Sequence, residues 1–160
     1  MNIKKTHKQY LIRLCLLLSG LVVNAQNNEE APRILLYFGR FHPVVLHLPI
    51  GALLLTFFID IVGRVKKNYP HQIITYALGF SAVSAILACI LGYFLSLEGG
   101  YGKKVLDIHF YTGILTAILA SLLFYLSSKN TITAKKIVFP VFVATLFSLT
   151  IAGHYGSVLT

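Results

Sequence analysis

Four long apolar stretches, at residues 43–63, 72–96, 106–127 and 137–155, decide what this chain can fold into. Each has the length that a helix rising 1.5 Å per residue needs to cross a hydrocarbon layer about 30 Å thick. Hydrocarbon offers no partner to a backbone amide or carbonyl, and a helix satisfies these groups within itself. With 56% apolar and 12% charged residues, the chain is too apolar for an ordinary soluble domain. Its 160 residues suffice for one domain.

The connections between the stretches are short and polar. Arg64-Val65-Lys66-Lys67-Asn68 joins the first two, and Glu98-Gly99-Gly100-Tyr101-Gly102-Lys103-Lys104 joins the second and third. Ser127 to Asn130 and on through Lys135-Lys136 joins the third and fourth. Short connections make sequence neighbours antiparallel neighbours. The expected fold is therefore all-α, a four-helix transmembrane bundle over residues 37–160, with no internal repeat evident.

The N-terminal segment reads differently. Lys4, Lys5, Lys8 and Arg13 precede a short apolar run, Leu14 to Val23, which is too short to span. Val23-Asn24-Ala25 supplies small residues before Gln26, so residues 1–25 read as a cleavable signal peptide and 26–36 as a polar lead-in. The net charge of +9 counts four cations from that segment; without them it is +5. No basic patch interleaved with aromatic residues is left, which argues against nucleic-acid binding. Cys15 belongs to the signal segment, and Cys89 stands alone in an apolar helix, where a packing role suits it. Neither a disulfide nor a Cys-x-x-Cys-His attachment motif is available.

Charge then orients the bundle. The first and third connections hold Arg64, Lys66, Lys67, Lys129, Lys135 and Lys136, and no acid. The other side holds Arg33, Arg40, Lys103 and Lys104, mixed with Glu29, Glu30, Glu98 and Asp107. The cation-rich side is expected in the cytoplasm. The signal peptide independently places the mature N-terminus outside. Both mature termini are thus expected on the periplasmic face of a bacterial inner membrane.

In this topology His42, His47, His109 and His154 all fall near the outer face, whereas His71 falls alone on the cytoplasmic side. Ionisable residues at membrane depth are rare, and several at one level suggest a shared ligand. Imidazole suits haem iron, zinc and copper. His47 and His109 each open a His-x-x-x-Gly pattern, with Gly51 and Gly113 one turn deeper on the same helix face. Such glycines either form packing seams or leave room for a flat ring beside the imidazole. Small residues also run along the second helix, through Ser84, Ala88 and Gly92 and through Ala77, Ser81 and Ala85. His154 sits between glycines in Ala152-Gly153-His154-Tyr155-Gly156.

Other polar groups have plainer readings. Pro43 fits a helix start, whereas Pro49 is expected to loosen the turn beside His47 and free the Val45 carbonyl. Asp60 precedes Arg64 by four residues, which suits an ion pair near the cytoplasmic end. Asp107 is a candidate to orient His109, although adjacent helix positions diverge. Tyr37, Tyr93, Tyr101, Tyr111 and Tyr155 suit an interfacial aromatic belt. No nucleophile–base pair, phosphate-binding glycine loop or paired carboxylate is present, so no catalytic residue is assigned.

The run Phe38-Gly39-Arg40-Phe41-His42-Pro43-Val44-Val45-Leu46-His47-Leu48-Pro49-Ile50-Gly51 resembles a family of small four-helix bacterial membrane proteins, domain of unknown function 2231. It is also similar to the membrane region preceding planctomycete-type cytochrome c domains, as is the closing Gly153 to Thr160 segment. The resemblance covers nearly all of residues 36–160. It implies electron transfer at the outer face, with a cytochrome c domain or other redox protein as partner. Three functions follow as expectations. The first is b-type haem held by two histidines from different helices, His47 with His109 or His154. The second is a cofactor-free anchor or assembly subunit, and the third a zinc or copper site using His47, His109 and His154.

Overall fold

The computed structural model describes residues 32–129 and 131–159. The expected signal peptide and the first part of the lead-in lie outside these residues. The described chain is all helical: α1 (Arg33–Gly39), α2 (His42–Val45), α3 (His47–Val65), α4 (His71–Ser96), α5 (Lys103–Lys129) and α6 (Ile132–Val158). Four spans are long and apolar enough to cross a membrane: Arg33–Val65, His71–Ser96, Lys103–Lys129 and Lys136–Val158.

The first span begins earlier than the expected start near residue 43, and the end of the lead-in is helical. Apolar contact explains this. Leu35 is buried, and Gly39 lies so close to α4 that a Cβ there would come within 2.5 Å of the Leu95 amide nitrogen. Arg40 adds an ion pair to Glu98 at 2.9 Å. Its guanidinium is exposed, so the pair contributes at most about 1 kcal/mol.

Two breaks divide this span, one at Arg40–Phe41 and one at Leu46. Pro43 lies in the first turn of α2. Pro49 is the third residue of α3, where a missing amide leaves no helical bond unmade. The loosened turn expected beside His47 is therefore a restart of the helix, and the bond from the Ile50 amide to the Leu46 carbonyl is long at 3.4 Å. Pro140 lies inside α6.

The long helices run antiparallel in chain order, α4 packing on α3 and α5, and α5 on α6. The first and last helices meet through Phe57, whose ring lies 5.2 Å from Phe142 and 6.1 Å from Phe139. The core cluster of Leu53, Ile74, Leu78, Ala82, Ala120, Leu123, Val138 and Phe142 fills the middle and the end that carries the α3–α4 connection. Hydroxyls inside the bundle are satisfied locally or across helices. Thr116 donates to Ser148 Oγ at 2.9 Å, and Ser148 Oγ lies 3.1 Å from the Thr112 carbonyl.

At the α3–α4 end, Asp60 is fully buried and accepts three hydrogen bonds. They come from Arg64 Nε at 2.6 Å, Arg64 Nη2 at 3.1 Å and the Tyr69 hydroxyl at 2.5 Å. The expected Asp60–Arg64 pair is present, and Tyr69 joins it from the connection. The Arg64 guanidinium also lies over the rings of Tyr69 and Phe139, at 5.6 and 5.4 Å. Burial, and then the bond to Asp60, push the Tyr69 phenol well above the ordinary tyrosine range.

Candidate functional site

The opposite end of the bundle carries the histidines, and the structure sorts them into two kinds. His42 and His109 are half-buried and face each other, with ring centroids 6.0 Å apart and planes at 81°. His47 and His154 are exposed.

Helix phase accounts for the sorting. The inward positions of α3 are Pro49, Leu53, Thr56, Asp60 and Gly63, spaced three and four residues apart. His47 precedes Pro49 by two residues, a rotation of about 200°, and therefore points away from the bundle. Gly51 follows Pro49 by two and shares that outward face; it is exposed, and a Cβ there would meet nothing within 4 Å. In α6 the inward line is Val138, Phe142, Thr145, Ser148 and Ala152, and His154 lies two residues past its end. Its ring lies against Tyr155, with centroids 5.3 Å apart. His47 turns back on its own chain, its Nδ1 lying 2.6 Å from the Pro43 carbonyl. The expected partners His47 and His154 are thus on outer faces, and the residue that meets His109 is His42. Helix phase alone separates the two: His42 precedes Pro49 by seven residues, about two turns, and shares its inward face, whereas His47 is rotated by about 140° from His42.

Each member of the pair is seated in the same way on a neighbouring helix. Nδ1 of His42 lies 2.8 Å from the Ala88 carbonyl of α4, and Nδ1 of His109 lies 2.8 Å from the Ala152 carbonyl of α6. A carbonyl can only accept, so each Nδ1 carries a proton, and in the neutral ring Nε2 then holds the lone pair. Four residues beyond each alanine is a glycine against which the ring packs. A Cβ on Gly92 would lie 2.9 Å from His42 Cε1, and one on Gly156 would lie 2.8 Å from His109 Cε1. Asp107, the candidate to orient His109, is exposed, and the carbonyl bond to Ala152 orients the ring instead. Sequence spacing flagged neither Ala88 nor Ala152 as an acceptor, and Gly92 and Gly156 read there as packing or helix-end residues.

The two Nε2 atoms take no hydrogen bond among the described residues. No buried side-chain nitrogen or oxygen lacks a partner among those residues either. The free Nε2 atoms must therefore open onto accessible space. Gly113, one turn along α5 from His109, borders such a space. It lies on the inward line of His109, Thr116, Ala120 and Leu123, yet a Cβ there would meet nothing within 4 Å. The two His-x-x-x-Gly motifs thus differ: Gly113 faces the interior and Gly51 does not.

Among the described residues no group of three or more His, Cys, Asp and Glu side chains is placed to hold a metal ion. The expected trio of His47, His109 and His154 does not assemble. What the end of the bundle offers is two half-buried imidazoles, each bonded through Nδ1 to a backbone carbonyl. His71 stands at the start of α4, away from them.

No curated protein and no solved structure matches the chain. The family model described as predicted membrane protein (DUF2231) matches residues 40–160, which include the histidine pair and all four spans apart from α1. The chain belongs to this family of predicted membrane proteins.

Proposed function

We propose that this protein binds b-type haem through His42 and His109 and takes part in electron transfer in a bacterial inner membrane. The histidine end lies on the periplasmic side in this reading, with both mature termini, because the cations Arg64, Lys66, Lys67, Lys129, Lys135 and Lys136 gather at the other end. A cytochrome c domain or another redox protein is the partner that the resemblance implies.

The observation that carries this reading is the imidazole pair. Two imidazole nitrogens bound from opposite sides of a metal at about 2.0–2.1 Å each put the ring centres roughly 6 Å apart. The ring centroids of His42 and His109 are 6.0 Å apart. The bonds to the Ala88 and Ala152 carbonyls favour in each ring the tautomer that ligation through Nε2 requires. Gly113, one turn from His109 on the same face, has open space beside it, which is consistent with a ligand lying there. When bound, haem supplies a one-electron carrier, and the chain supplies ligands, orientation and a dry wall.

A bare copper or zinc ion is the second reading, and the pair itself favours it, since its spacing suits one ion directly. Two imidazoles suit copper better than a closed zinc site, which wants four ligands. The test is an optical spectrum of the detergent-purified protein from haem-replete cells. Haem binding predicts a red preparation whose Soret band shifts on reduction. A colourless preparation with stoichiometric copper or zinc would replace haem with the ion. Neither colour nor metal would overturn both, leaving a cofactor-free anchor or assembly subunit.

A further inference from the structure

The two histidine seats agree closely. In each, an imidazole near the start of one span donates Nδ1–H to a carbonyl 2.8 Å away on the following span. In each, the accepting residue opens an Ala-x-x-x-Gly segment, Ala88 to Gly92 or Ala152 to Gly156. The distance from the glycine's Cβ position to ring Cε1 is 2.9 Å in one seat and 2.8 Å in the other, and to Nδ1 it is 3.0 Å in both. The spans that carry them alternate, so the α3–α4 and α5–α6 pairs run in the same sense along the bundle. Two such pairs in one orientation are related by an axis along the bundle, as in parallel membrane repeats.

We propose that Gly92 and Gly156 are positioning residues of a duplicated imidazole seat, which presents two Nε2 donors to one metal centre on that axis. This deepens the reading above and rests on it for the identity of the metal centre. Each glycine lets a ring lie flush against a helix backbone. Each alanine carbonyl, one turn back, is then within reach of Nδ1. An added methyl at either glycine would lie within 3 Å of the ring, which must shift on its seat to clear it. Neither glycine touches the ligand position, so its effect passes through the histidine alone.

The tautomers can be read without reference to colour. Full-length protein labelled with ¹⁵N-histidine, held reduced in lipid nanodiscs, gives separate long-range ¹⁵N–¹H patterns for Nδ1–H and Nε2–H rings. His42→Gln and His109→Gln, each deleting one signal, assign the pair. Both rings are expected as Nδ1–H, with or without a bound group. Gly92→Ala should shift the His42 pattern and spare that of His109, and Gly156→Ala should do the reverse. Gly51→Ala, on the outer face and meeting nothing within 4 Å, should move neither. A predominant Nε2–H form in either wild-type ring overturns the proposal even if the alanine variants fail to fold. So does a folded Gly92→Ala or Gly156→Ala protein with unchanged signals. Loss of the Soret band expectation with both rings still Nδ1–H would sink haem and leave the duplicated seat standing.

Discussion

The two ends of this bundle handle buried polarity in opposite ways. At the connection between α3 and α4, Asp60 is fully buried and accepts three hydrogen bonds, from two atoms of Arg64 and one of Tyr69. At the far end, His42 and His109 each use one nitrogen on a backbone carbonyl and leave the other without a partner among the described residues. A closed network holds helices together, while an open one has donors to offer a ligand. The first end therefore reads as a structural clamp and the second as a binding site, although both contain ionisable groups at membrane depth, where function is the usual suspicion.

That contrast can be broken by substitutions at either end. The largest stability effect is expected at the clamp. Arg64→Ala leaves the Asp60 carboxylate buried with only Tyr69 beside it, and breaking a buried pair this way costs about 3–5 kcal/mol. Unfolding titrations in mixed micelles would measure it, and a loss under 1 kcal/mol would mean that the clamp is incidental. His42→Ala should cost far less, on the order of 1 kcal/mol for one hydrogen bond and a half-buried ring. It should nevertheless abolish ligand binding, which absorbance or metal analysis would detect. If it unfolds the protein instead, the two ends do not differ in kind.

A subtler pair of changes sharpens the same comparison. Gly113→Ala and Gly51→Ala both lie in helices and meet nothing within 4 Å, so each should be neutral or stabilising by up to about 1 kcal/mol. Gly113→Phe should block a flat ligand, whereas Gly51→Phe, on the outer face, should not. The smallest effect concerns Tyr69. Its phenol is held above the ordinary range by burial and by Asp60, so it stays protonated where an unfolded tyrosine ionises. A raised value means that its contribution is intact below about pH 10 and is lost as pH climbs beyond it. Wild type should therefore lose more stability than Tyr69→Phe between neutral and strongly alkaline pH, read by the same micelle titrations.

The spans were plain in the sequence because apolar length is a one-dimensional signal, and the level of the histidines followed from counting residues along each span. Which histidines meet was not, since that depends on rotation about the helix axis. His47 and His154 each lie two residues from an inward position, whereas His42 lies about two turns before Pro49 on the inward face. The His-x-x-x-Gly resemblance between His47 and His109 picks out a different pair from the one that the fold brings together, for the same reason. The repeat escaped notice because its halves are carried by Ala88, Gly92, Ala152 and Gly156, small residues that any packed membrane helix contains. Asp60 with Arg64 was legible from spacing. Tyr69 was not, because the turn that returns it to Asp60 leaves no pattern. The helix at Arg33–Gly39 was hidden by the polar residues before it.

The account depends on one pairing, and four single substitutions in parallel test it most directly. His42→Ala, His109→Ala, His47→Ala and His154→Ala are purified alongside wild type, and bound haem per chain is measured from reduced-minus-oxidised spectra. Wild type is expected to carry one haem per chain, lost in the first two variants and retained in the last two. Retention in His42→Ala, with loss in His47→Ala or His154→Ala, would contradict it.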